Sequence, residues 1–129
     1  QRNSGAIVAD RNGKVTNYAC IGMADRGELF VNVGTEVYDG MIIGERNRSE
    51  DLTVNITREK KLTNMRSATS DATVTLRSPR QLSLDQSIEF IAEDELLEVT
   101  PQSIRLRKME LDQVKRLSLR KKERYSSGS

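Results

Sequence analysis

The residues with most chemical capacity in this chain are cations and amides crowded into one stretch, Arg58-Glu59-Lys60-Lys61-Leu62-Thr63-Asn64-Met65-Arg66. Arg58, Lys60, Lys61 and Arg66 bring positive charge. Thr63 and Asn64 bring the small hydroxyl and amide groups that bond phosphate and sugar oxygens. The chemistry they point to is grip on a polyanion backbone, without bond-making. The small polar run Ser67-Ala68-Thr69-Ser70-Asp71-Ala72 follows, so the basic loop spans 58–72. A merely solvated loop would give the same charge run in most proteins; the admixture of Thr and Asn favours contact with nucleic acid. A second set of cations lies in Ser103-Ile104-Arg105-Leu106-Arg107-Lys108. Strand alternation there turns Ile104 and Leu106 inward and leaves Arg105 and Arg107 on the opposite face, suited to phosphate, and Lys108 is assigned to the same contact.

Other chemistry is excluded by what the 129 residues lack. There is no His and a single Cys, so zinc-type sites and Ser–His or Cys–His nucleophile pairs cannot be built within the chain. Cys20, in the run Tyr18-Ala19-Cys20-Ile21, reads as a packed core thiol with no disulfide partner, as in a reducing compartment. Glu93-Asp94-Glu95 reads as a solvated cluster at a helix end, in preference to an acid–base dyad. The phosphate-binding patterns GxxxxGK[ST] and GxGxxG are absent. No catalytic residue, metal or cofactor is therefore assigned, and the chain is not expected to be an enzyme. It has no apolar run long enough for a membrane span and opens on Gln1-Arg2-Asn3-Ser4 without a signal-peptide pattern. The missing initiator Met is expected of a piece of something longer.

Charge is polarised along the chain although the formal net charge is only +2. From Leu82 to Thr100 stand Asp85, Glu89, Glu93, Asp94, Glu95 and Glu98 with no Lys or Arg. From Pro101 onward Arg105, Arg107, Lys108, Lys115, Arg116, Arg120, Lys121, Lys122 and Arg124 outnumber Glu110, Asp112 and Glu123. Such asymmetry suits one face turned to a polyanion. Aromatic residues make up only 4%, too few for a base-stacking sheet of the RNA-recognition type.

The elements that must position these cations are mostly strands. Ala6–Arg11 and Lys14–Ala19 read as short strands, and Asn12-Gly13 between them predicts a hairpin. Gly22–Gly27 reads as a turn or one helical turn. Glu28–Val33 resumes the strand pattern up to Gly34, and Thr35–Tyr38 and Met41–Ile43 flank a second hairpin dipeptide, Asp39-Gly40. Gly34, Gly40 and Gly44 suit bulges or bends where a sheet curls. Arg46–Asp51 is a polar turn, and Asp51–Ile56 and Thr73–Leu76 are the strands that hold the basic loop at its two ends. Ser83 with Gln86 makes a capping box for a helix over Leu84–Ala92, with Leu84, Ser87, Ile88 and Ile91 on one face. Leu96–Thr100 is a strand, turned by Pro101-Gln102 into Ser103–Lys108. Asp112 is a plausible N-cap for a basic helix on which Leu111, Val114, and Leu117 or Ser118 make a thin apolar stripe. A solvated, fraying helix and RNA contact fit that segment equally. Tyr125–Ser129 is tail-like. The fold class is mainly β with short helices, α+β.

Several long motifs, in one order, resemble a known family. They are Arg26-Gly27-Glu28-Leu29-Phe30-Val31, Gly34-Thr35-Glu36-Val37-Tyr38-Asp39-Gly40-Met41-Ile42-Ile43-Gly44-Glu45, Asp51-Leu52-Thr53-Val54-Asn55, Lys60-Lys61-Leu62-Thr63-Asn64-Met65-Arg66, Leu82-Ser83-Leu84-Asp85-Gln86 and Asp94 through Lys108. Over roughly residues 1 to 111 the chain resembles the C-terminal region of the TypA/BipA translational GTPases. The resemblance implies three parts. Residues 1–27 would be a hairpin remnant of the last elongation-factor-G-like domain, 28–111 a curled β-rich family-specific C-terminal domain carrying loop 58–72, and 112–129 a basic helix and tail. It also implies binding to the large side of the ribosome near the A site, with the loop approaching the acceptor end of tRNA. Links to stress adaptation and to ribosome assembly, that of the large subunit, are implied as well. GTP and magnesium would belong to the missing parts of a parent GTPase, in the cytoplasm or a plastid stroma. The loop tip departs from the family, which usually reads Arg-Ala-Ser-Gly-[Ser/Thr]-Asp-Glu where this chain has Arg66-Ser67-Ala68-Thr69-Ser70-Asp71-Ala72. Ser78 also stands where the family often has a second Pro.

Two functions of different class follow. In the first, Arg58, Lys60, Lys61, Thr63, Asn64, Arg66, Arg105, Arg107 and Lys108 grip rRNA and tRNA, and a monomeric chain binds ribosomes without touching membrane. In the second, the chain is a protein-interaction or structural cap that docks a basic ribosomal protein on the acidic helix 84–92.

Overall fold

The computed structural model describes residues 3–60 and 79–119. Strand β1 (Ala6–Ala9) lies between β5 (Met41–Arg46), its antiparallel neighbour, and β6 (Leu52–Val54), which runs parallel to it. Beyond β5 come β8 (Ile104–Lys108) and β7 (Glu95–Val99), giving the order β6-β1-β5-β8-β7. Strand β3 (Gly27–Leu29) pairs with the last residues of β5, and β2 (Gly13–Lys14) with β4 (Glu36–Val37) in a small second sheet. Helix α1 (Asn17–Met23) covers one face of the large sheet and α2 (Leu84–Phe90) the other. Residues 113–119 form a further helical segment. The fold is therefore α+β and mainly β, as composition and pattern suggest.

Alternation along the central strands divides the core in two. Ile7 and Ala9 of β1 join Met41 and Ile43 of β5, Val54, Ile56 and the buried residues of α1 on one face. Ala6, Val8 and Ile42 join Phe90 of α2 and Leu106 on the other. On that second side Phe90 meets Phe30 edge to face, ring centroids 5.3 Å apart, and the Arg80 guanidinium lies 5.1 Å over Phe30. Cys20 is packed into the first core, where burial pushes its thiol pKa up, in keeping with an inert core residue.

Two expected hairpins are not formed, and the reasons are physical. Both edges of β1 are occupied, by β5 and β6, so no edge remains for the chain after Asn12-Gly13. Gly13 pairs with Val37 instead, and Asn12 Oδ1 accepts from the amide of Asp39. The supposed strand Lys14–Ala19 ends at Lys14 and becomes helix. Thr16 caps α1, its Oγ1 accepting from the Ala19 amide at 3.2 Å. Val15, Ala19 and Met23 are four apart, and all three are buried; the two-residue alternation concealed that helical spacing. At Asp39-Gly40 the chain does turn, closed by Met41 N–H to the Tyr38 carbonyl, with Gly40 at φ 93°. The strands on either side join different sheets, so the turn is a crossover point. The β1–β5 register slips between Ile7 and Val8, a bulge next to Gly44, so the sheet bends as the glycines suggest, but among the described residues it does not close into a barrel.

The hairpin β7–β8 and the capping box of α2 are found as expected, with Ser83 Oγ accepting from Gln86 N–H and Gln86 Oε1 from Ser83 N–H. The inward face of α2 differs. Ser87 and Phe90 are buried, whereas Leu84 and Ile88 stay 43% and 53% exposed. Phe90 is the largest apolar group the helix offers, and its edge contact with Phe30 sets the rotation that leaves Leu84 and Ile88 outside. The expected strand Thr73–Leu76 lies outside the described residues. Replacing Phe90 by Ala should cost about 3–5 kcal/mol, while Leu84→Ala and Ile88→Ala should each stay within about 0.5 kcal/mol. Urea denaturation of the three variants checks this, and equal losses at all three positions would refute the orientation of the helix.

Candidate nucleic-acid interface

The stem of the basic loop leaves the sheet at the end of β6. Ile56 is buried, and its carbonyl accepts from Thr16 N–H at 3.0 Å. Thr16 Oγ1 donates in turn to the Arg58 carbonyl, so one threonine caps α1 and fastens the outgoing chain. Arg58 is exposed, and its guanidinium lies 5.7 Å above the ring of Tyr18, itself 39% exposed on α1. Lys60 is half-buried. Lys61, Thr63, Asn64 and Arg66 lie outside the described residues.

Tyr18 is a candidate residue that the sequence does not reveal. An exposed aromatic ring beside an arginine combines a stacking face with a cation, a pairing suited to single-stranded nucleic acid. Tyr18 is forty residues from Arg58 in sequence, and only the docking of α1 against the loop stem brings them together.

The three cations of β8 separate into different roles. Arg105 is exposed. Arg107 is partly buried, and its Nε holds Glu98 at 2.8 Å, while the Tyr38 hydroxyl donates to the same Glu98 oxygen at 2.9 Å. Burial, then the bond to Glu98, pushes the Tyr38 pKa up to about 12. Lys108 is only 4% exposed. Its Nζ donates to Asp51, to Asp94 at 2.9 Å and to the buried Glu95 at 2.7 Å. The remaining oxygens of Asp51 and Glu95 accept from the amides of Ala6 and Ala92. Burial alone would lower the lysine pKa. Hydrogen bonds and charge from Asp51 and Glu95 outweigh it, and the pKa ends above its ordinary value. A phosphate could reach this ammonium only by displacing carboxylates, so Lys108 acts as a tie between β8, the β7 start and the approach to β6. Its assignment to phosphate contact is corrected accordingly. The alternation that exposes Arg105 and Arg107 turns Lys108 to the side of Leu106, which sequence spacing already implied.

Arg58 and Arg105 are not side by side. Strands β6 and β8 are three inter-strand spacings apart, roughly 14 Å. Asp112 does cap the last helical segment, Oδ1 accepting from Val114 and Lys115 amides. The expected apolar stripe does not pack, however, because Val114 is 75% and Leu117 49% exposed. Arg116 docks the segment instead, bonding Asp39 at 3.1 Å and the carbonyls of Glu110 and Leu111. Among the described residues no group of three or more carboxylate or thiol side chains is arranged to hold a metal ion, and no helix is long and apolar enough to cross a membrane.

Residues 4–113 match the TypA/BipA C-terminal domain family. This chain belongs to that family. It is 50% identical over 123 residues to the large ribosomal subunit assembly factor BipA of Bacillus subtilis, covering 95% of the chain and 20% of that protein. It is 51% identical over 111 residues to the protein of the same name from Salmonella typhimurium, covering 86% of the chain and 18% of that protein. The Escherichia coli K12 protein of that name is 50% identical over 111 residues, with the same coverage. The chain thus spans about a fifth of the length of these relatives. The region of the TypA/BipA match crosses residue 27, and β1, on the near side of it, is the strand between β5 and β6.

Lys108→Met leaves the buried Glu95 carboxylate without its cation and should cost about 3–5 kcal/mol, whereas Arg105→Ala should cost less than about 0.5 kcal/mol. The ammonium's contribution has a defined pH window. Because its folded pKa is raised above 10.5, the contribution is complete below pH 10.5 and is lost as pH climbs through the folded value. The gap between wild type and Lys108→Met should therefore be constant from pH 7 to 9 and narrow above about 10.5. Chemical denaturation across that range tests both the size and the sign.

Proposed function

We propose that this chain is the ribosome-binding C-terminal module of a TypA/BipA-type translational GTPase. It contacts large-subunit rRNA and the acceptor end of A-site tRNA through loop 58–72, with Arg105 as an outlying phosphate contact. The observation that carries the reading is the stem of the loop: Arg58 is exposed, lies over Tyr18 and has its carbonyl bonded by Thr16 at the end of the sheet. The name of the relatives, large ribosomal subunit assembly factor, supports a role with the ribosome and its large subunit. In the whole protein, GTP and magnesium would be handled by other domains, since no nucleotide motif occurs in these 129 residues. The parent protein would work in the cytoplasm, in ribosome assembly and stress adaptation.

One observation favours a second reading. On α2 the apolar Leu84 and Ile88 and the acids Asp85 and Glu89 are exposed together, a face suited to a basic ribosomal protein. The two readings part on salt and on the loop. Binding of the chain to purified large subunits should weaken steeply with salt. Lys60→Ala, Lys61→Ala, Arg66→Ala in one variant should lower the slope of log K against log salt by about 2–3. Undiminished binding by that variant would reject the loop as the contact and transfer the role to α2.

A further inference from the structure

A second concentration of positive charge lies at the other end of the sheet. A cavity of about 270 Å³ there is lined by Asp25, Arg26, Arg46, Asn47 and Arg48. Three arginines and one aspartate thus line one space. Among the described residues no carboxylate comes within ion-pair distance of Arg26, Arg46 or Arg48. Elsewhere in the fold the arginines that serve structure are paired: Arg80 with Glu45 and Glu28, Arg107 with Glu98, Arg116 with Asp39. Three positive charges gathered about one negative charge repel one another, and an anion in the cavity would relieve that repulsion.

The backbone beneath the cavity is rigid. Register places Gly27 opposite Arg46, which brings Arg26 against the end of β5. The approach is so close that a Cβ on Gly27 would stand 2.1 Å from the Glu45 carbonyl, so only glycine fits. Asn47 clamps the 25–26 turn twice, its backbone N–H donating to the Arg26 carbonyl at 3.0 Å and its Nδ2 to the Asp25 carbonyl at 2.9 Å. The Arg48 carbonyl accepts from Gly5 N–H at 2.7 Å. Arg46 gives one N–H to the Glu50 carbonyl, which fixes its plane and leaves its other donors. The backbone that carries the three arginines is thus held in place before any ligand arrives.

We infer that Arg26, Arg46 and Arg48 form a phosphate-binding pocket for an RNA backbone, a second contact separate from loop 58–72. The planar guanidinium of arginine matches the bidentate geometry of phosphate oxygens, and three arginines line this concave space. The pocket adjoins Gly5 and the loop stem leaves beyond Asp10, so the contacts are separated by the extended run from Gly5 to Asp10, roughly 17 Å. Two anchors at that spacing fix the orientation of a module on RNA where one alone would leave it free to pivot.

The inference rests on the RNA-binding reading, and its test separates the two. Arginine Nε–Hε and Asn47 and Arg48 amide resonances of the full 129-residue chain are followed by NMR during titration with a uridine hexanucleotide, and separately with a poly-glutamate peptide. Saturable shifts at the three arginines with the oligonucleotide are expected, retained in the Lys60→Ala, Lys61→Ala, Arg66→Ala variant. Absence of those shifts, or shifts with the peptide alone, overturns the pocket whatever the loop does. On large subunits, Arg26→Ala with Arg48→Ala should reduce the salt slope by about 2. Both arginines are exposed, so the fold should be unaffected. An unchanged slope in that variant, with steep salt dependence persisting, would leave the loop reading intact and refute the pocket.

Discussion

Ala6, Ile7, Val8 and Ala9 have almost no contact with solvent, and this is possible only because β1 is walled in on every side. Strands β5 and β6 take its two edges, and the cores under α1 and α2 take its two faces. A four-residue strand so enclosed must have its backbone groups paired by neighbours, because unpaired groups at that depth are costly. That requirement determines where β5 and β6 run, and therefore where the chain emerges at both ends of the sheet. The antiparallel run of β5 carries Arg46 and Arg48 to one end; the parallel run of β6 carries Arg58 to the other. The positions of exposed cations are thus consequences of how the most buried strand is satisfied.

Charge in this molecule divides by environment more than by residue type. Lys108, enclosed by Asp51, Asp94 and Glu95, ties three segments of chain across the sheet. Arg116 and Arg80 likewise hold a helical segment and an aromatic edge in place. Arg105 and Arg58 face solvent. The acidic run from Leu82 to Thr100 is not one surface either. Glu95 is buried against Lys108, Glu98 serves Arg107 and Tyr38, and Asp85 and Glu89 are left outside on α2. The polarised sequence is in part a set of internal pairs, and net charge per segment overstates the field at the surface.

Much of the local structure follows from the chain read by itself. The capping box of Ser83 and Gln86, the β7–β8 hairpin, the Asp112 cap, the inert Cys20 and the mainly β character with short helices need only neighbouring residues and their spacing. The long ordered motifs from Arg26 to Lys108 likewise sufficed to indicate the TypA/BipA family, because identity of residue type in one order is a property of sequence. The counts of no His and one Cys, and the missing nucleotide patterns in these 129 residues, are legible in the same way.

Tertiary structure decided what lies between elements. Asn12-Gly13 has the local preference for a hairpin, yet β1 had no edge to lend, and a dipeptide cannot register that its strand is already paired on both sides. Lys14–Ala19 reads locally as a strand, yet from Asn17 the chain is helix, with Ala19, Cys20 and Met23 buried against the sheet. Tyr18 beside Arg58, and Arg26 beside Arg46 and Arg48, are meetings of segments about twenty to forty residues apart. Sequence specifies which groups are available and which way each side chain points along its own element. Which of them meet depends on strand order and register, and these are fixed by the packing of the whole core.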